Sequence, residues 1–127
     1  MCVVNKGIAV LADVKKKHSA HALTADVDIV ETVRAADFFR ADGVVVTGSS
    51  TGHPADSLEL RKIKAATGDR VPVVIGSGIT PENAIDFACA DAFIVGSYFK
   101  EKGDWRNDLS PDRISEMCKA VQTLCEC

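Results

Sequence analysis

Residues 72–84 read PVVIGSGITPENA, an apolar run, a glycine turn and a helix start within thirteen positions. Val73, Val74 and Ile75 are β-branched and uninterrupted by polar residues, the composition of a buried strand. Gly76 and Gly78 let the chain turn sharply and let its backbone approach a neighbour or ligand closely. Thr80-Pro81 then sets a capping hydroxyl before a proline at a first helical position. A strand that runs through a tight turn into a helix is one βα unit.

The unit recurs along the chain. Apolar runs rich in Val and Ile lie at 8–14, 44–47, 73–75 and 93–95, and segments at helical spacing follow at 29–40, 55–66, 81–88 and 111–124. Asp28 with Glu31 reads as a capping box, Ser110-Pro111 as a second cap and proline, and Gly68 as a helix stop. Strands alternating with helices pair in parallel through right-handed crossovers. Two architectures satisfy four such units: an open α/β sheet, or half of a (βα)8 barrel, which as a whole takes about 250 residues. The first strand bears on the choice. If Ile8, Val10 and Ala12 face helices, Ala9, Leu11, Asp13 and Lys15 face the other way, and two charges at a strand's C-terminal end suit a barrel mouth. No linker divides residues 1–127, which read as a single domain.

With 46% hydrophobic and 26% charged residues over 127 positions, the chain has the composition of a packed globular domain. Its net charge of −3 argues against nucleic acid or anionic membrane as a partner, since both need a basic surface. No apolar run approaches the roughly 18 residues of a membrane span. The start of the chain lacks the pattern of a secretory signal, so a soluble cytoplasmic or organellar compartment is expected. Cysteines at 2, 89, 118, 125 and 127 form no Cys-x-x-Cys pair and leave an odd count, which points to reduced thiols rather than a disulfide framework or zinc cage.

Functional residues of parallel α/β folds gather after the strands' C-terminal ends. After the third strand, Gly76, Ser77 and Gly78 followed by a helix start suit a phosphate, and Gly96-Ser97 after the fourth strand adds a second glycine and hydroxyl beside them. After the first strand, Asp13, Lys15 and His18 are acid-base or covalent candidates, Lys15 as a Schiff-base lysine or a cation facing substrate. The competing reading is a solvated basic loop; Asp13, His18 and His21 as a metal set lack a second acidic cluster, and no metal is assigned. After the second strand, Thr47-Gly48 and Thr51 read as a substrate-orienting turn, joined by Lys100, and the absence of a trailing Gly-Lys-Ser/Thr excludes a Walker loop. Trp105, the only tryptophan, reads as packing. No cofactor is called for.

These loops together resemble the C-terminal half of the BtpA family, a group that includes a photosystem I biogenesis factor and SgcQ-like proteins. The likeness is carried by Ala12-Asp13-Val14 with Lys17-His18, by residues 42–48 (DGVVVTG) and Gly52, and by Gly76-Ser77-Gly78 through Asn83. It continues through residues 90–97 (ADAFIVGS), Phe99-Lys100, Gly103, Trp105 and Asn107. The resemblance implies a TIM barrel akin to the phosphate-binding barrels, with these four units as strands five to eight. It implies a BtpA-like protein of unestablished reaction that binds a small phosphorylated metabolite, a non-catalytic assembly or stability factor, or an inactive fragment of a full barrel. An isolated half leaves two strand edges and one sheet face open, so either a homo-oligomer covers them or the N-terminal half-barrel is missing from this sequence.

Overall fold

A computed structural model of the chain describes residues 7–15, 18, 22–48 and 53–125. Its strands are β1 (Leu11–Lys15), β2 (Gly43–Thr47), β3 (Val73–Gly76) and β4 (Ala92–Ile94), and its helices are α1 (Ile29–Phe38), α2 (Ser57–Thr67) and α3 (Pro111–Cys125). The strands form one parallel sheet in the order β1-β2-β3-β4.

That order has a geometric consequence. Successive right-handed crossovers that always step in the same direction lay every helix on the same face. The buried cluster agrees: Val44, Val46, Val73 and Ile75 from the strands meet Val33 of α1, Leu60 and Ile63 of α2, Ala84 and Phe87 after β3, and Met117 of α3. Burying each of these large aliphatic side chains contributes about 1.5–3 kcal/mol. The alternate residues point to the opposite face, where Leu11, Asp13, Ala92 and Ile94 are exposed and Val45 is half-buried. The result is a mixed α/β fold compatible with part of a (βα)8 barrel.

Local signals explain most element ends. Asp28 caps α1 by accepting from the Val30 N–H at 2.8 Å, while Glu31 pairs with Arg34 instead of completing the expected box. Asp56 caps α2 in the same way through Leu58, and Gly68 ends that helix with φ 59°. The helix expected at 81–88 is instead a turn followed by one 3-10 turn, Ala84–Phe87. Asn83 accounts for the turn: its side chain accepts from the Thr80 N–H and donates to the Gly78 carbonyl, both at 2.8 Å, which fixes the backbone before a helix can start.

The first strand begins later than its apolar run suggests. Val10 gives its carbonyl to the Asp42 N–H at 2.8 Å and its own N–H to the Asp42 carboxylate at 2.7 Å. The same two-bond clamp joins Val73 to Asp91, at 2.9 and 2.6 Å. Both aspartates follow an alanine and open a strand, in ADGVVV at 41–46 and ADAFIV at 90–95. Lys64 from α2 adds a charge to the second clamp, 3.1 Å from Asp91.

Candidate functional site

Because all strands are parallel, their four following loops share one end of the sheet. There Thr47, Gly76 and Ile94 lie in a row on the open face. A Cβ on Gly76 would sit 3.3 Å from the Thr47 methyl, so the row has little room between its first two members. The Thr47 hydroxyl donates to the Lys15 carbonyl at 2.9 Å and ties the ends of β1 and β2 together.

The glycines of these loops divide by cause. Gly78 has φ 66°, and a Cβ there would fall 2.5 Å from the Pro54 nitrogen; a Cβ on Gly48 would collide with the His53 carbonyl. Both therefore serve the seating of the His53-Pro54 backbone between the two loops. Gly96 differs: it has no described atom within 4 Å of where a Cβ would lie, and its φ is −115°. Ser77 takes φ 77°, a conformation that costs a non-glycine residue roughly 1–3 kcal/mol.

The anion cradle expected after Thr80 is altered by Asn83, which already occupies the Thr80 N–H. No α-helix dipole begins there. The Thr80 hydroxyl bonds Glu82 and holds that exposed carboxyl below its ordinary value. Ser97 opens a 3-10 turn, Ser97–Phe99, and Lys100 follows it with its backbone bridged to Leu109. Among the described residues the Lys100 ammonium makes no ion pair.

Asp13 and Lys15 do not share a face, contrary to the simple alternation of the strand. The β1–β2 register slips between them, so that Asp13 stands beside Val45 on the open face while Lys15 stands beside Val46 on the helix face. A bulge of this kind re-aims the side chain that follows it. Lys15 forms an ion pair with Glu59 of α2 and lines a cleft of about 620 Å³ between the starts of α1 and α2, with Val14, Asp28, Thr32 and Lys62. None of the described glycine-loop residues lines that cleft, so the cleft and the glycine rim are separate places. His18 lies in the same loop with φ 56°; Thr51 and His21 fall outside the described residues.

Beyond Ser97 the chain is anchored by a cluster that spacing did not suggest. The Tyr98 hydroxyl donates to Glu116 of α3, the Arg113 Nε donates to the Tyr98 carbonyl, and the Arg113 guanidinium stacks 4.1 Å over the Tyr98 ring. Burial first, and then the bond to Glu116, pushes the Tyr98 phenol up to about 12. Trp105, expected to pack, is instead 68% exposed on the following loop. That loop is closed at its base by the Glu101 N–H to the Asp108 carbonyl and the Ser110 N–H to the Phe99 carbonyl.

No helix among the described residues is long and apolar enough to cross a membrane. No solved structure matches the chain. An uncharacterised mitochondrial protein of Caenorhabditis elegans is 50% identical over 94% of this chain and 42% of its own length. Uncharacterised proteins of Pyrococcus abyssi and Pyrococcus horikoshii are 40% and 39% identical, over 92% and 94% of this chain and 44% of theirs. The chain thus spans less than half the length of these curated relatives. The BtpA family model matches residues 2–123, and the chain belongs to the BtpA family.

Proposed function

We propose that the chain is half of a (βα)8 barrel and that it binds a small phosphorylated metabolite at the loops following β3 and β4. The observation that carries the ligand is Gly96. Gly48, Gly76 and Gly78 have protein packed against the place of a missing side chain, whereas no described atom lies within 4 Å of that place at Gly96, which precedes Ser97 in the chain. An open glycine next to a hydroxyl lets a bulky anion approach the backbone directly. Gly76, Ser77 and Gly78 form the adjoining wall on the neighbouring strand, and Lys100 supplies an ammonium with no ion-pair partner among the described residues.

Thr47 and Gly48 complete the rim in this reading as substrate-orienting positions, and Thr51, outside the described residues, keeps that role on its sequence position alone. Asp13, on the open face, is an acid-base candidate, with Lys15 at the end of β1 and His18 in the loop beyond it; Lys15 is free to act only after leaving Glu59. The name of the nematode relative supports an organellar compartment.

The test is a thermal-shift series with inorganic phosphate, phosphorylated sugars and the same sugars without phosphate. Phosphorylated ligands should raise Tm and the others should not, and Gly96→Asp, which sets a negative charge where the anion would lie, should abolish the rise. An equal response to both sugar sets removes the phosphate reading.

A further inference from the structure

We infer that the cleft between α1 and α2 is a second ligand site, separate from the glycine rim, and that it takes a small zwitterion with an aliphatic body, the chemistry of a free aliphatic α-amino acid. The inference does not depend on the phosphate reading. The two helices pack against each other, and the cleft is lined from consecutive elements: the end of β1, the loop before α1, and the starts of α1 and α2. Its volume of about 620 Å³ falls within the range of small-molecule sites, about 300–1,000 Å³.

The lining selects the ligand. Val14, Ala25, Val27 and Ile29 give the cleft an aliphatic wall. Its charges divide into those already matched and those left over. Lys15, turned toward the helices by the bulge in β1, is paired with Glu59, and the Asp28 carboxylate accepts from the Val30 N–H. Lys62 and Asp26 line the same cleft, and among the described residues neither makes an ion pair. One ammonium and one carboxylate therefore remain. A simple anion would meet the acidic side chains of Asp26, Asp28 and Glu59, and a simple amine would meet Lys15 and Lys62. A ligand that carries both charges finds an opposite charge for each, as two charge-assisted hydrogen bonds. No three His, Cys, Asp or Glu side chains among the described residues come together as metal ligands, so the surplus carboxylate is left for an ammonium.

Isothermal titration calorimetry of the 127-residue chain with L-leucine tests the inference. Leucinamide, which lacks the carboxylate, and N-acetylleucine, which lacks the ammonium, are the paired controls. L-Leucine should bind one molecule per chain, and each control should bind about tenfold more weakly or worse, the loss expected when one hydrogen bond between charged groups is removed. Lys62→Gln and Asp26→Asn should each weaken L-leucine by a similar factor. Both side chains are exposed, so circular dichroism and the ligand-free Tm should stay at wild-type values. No binding of L-leucine, L-valine or L-alanine, equal binding of either control, or binding that survives both substitutions would overturn the inference. A leucine response without a phosphate response leaves this site standing and removes only the ligand of the glycine rim.

Discussion

The backbone nitrogen of Pro54 lies 2.5 Å from the position a side chain on Gly78 would take, and Gly78 itself is left-handed at φ 66°. Sterics and backbone strain thus both demand glycine there. Gly78→Ala should destabilise the fold by more than about 1 kcal/mol, because the unfolded-state gain from alanine is outweighed by an incompatible native conformation. Gly96→Ala meets no described atom and should stay within about 0.5 kcal/mol of wild type while weakening phosphate binding. Urea denaturation beside phosphate thermal shifts separates the two. Equal destabilisation at both positions would refute the division between a packing glycine and a ligand glycine.

Asp91 satisfies the Val73 N–H and the Lys64 ammonium together, whereas the matching Asp42 carboxylate has an exposed bond to Val10 and no lysine partner among the described residues. Removing a charged acceptor from a part-buried N–H costs about 1.5–3 kcal/mol. Asp91→Ala should fall in that range and Asp42→Ala below it, as read from urea midpoints at unchanged m-value. Equal losses would mean that burial and Lys64 add nothing to the clamp.

The fourfold alternation of strand and helix was legible because β-branched runs and caps act locally: Asp28, Gly68 and Pro111 mark element ends in the fold. The third helix was not, since Asn83 diverts the local hydrogen bonds of Thr80 and Gly78, a competition that apolar spacing does not register. The face of Lys15 was illegible for a different reason: a bulge adds one residue against a partner strand and reverses the parity that alternation assumes. Glycine positions were visible, but their causes were not, because the packing of His53-Pro54 on Gly48 and Gly78 joins distant parts of the chain.

Lys15 and Glu59 join β1 to α2 across the cleft, with the lysine side chain 44% exposed. Solvent screens such a pair, and its coupling should be about 0.2–1 kcal/mol in a double-mutant cycle of Lys15→Met and Glu59→Gln. The coupling should shrink further in molar salt, where the screening length falls to about 3 Å. A coupling several times larger, insensitive to salt, would show that the pair organises the cleft and is not a peripheral brace.

Tyr98 offers a direct spectroscopic check of the anchor beneath the Gly96-Ser97 loop, since it is the only tyrosine in the chain. Burial and the hydrogen bond to Glu116 favour the neutral phenol and raise its pKa from 10.0 to about 12. Below pH 10 the phenol is protonated in folded and unfolded chains alike, so its contribution to stability is fully present. Between pH 10 and 12 the folded chain binds more protons than the unfolded one, so stability falls as pH rises through that window. Tyrosinate absorbance should therefore show a midpoint near 12 in the native protein and near 10 in urea. Glu116→Gln removes the acceptor's charge and should lower the native midpoint without returning it fully to 10, because burial remains. A native midpoint already at the ordinary value would mean that Tyr98 does not hold α3 through Glu116, and the loop that carries Gly96 and Ser97 would lose its proposed anchor.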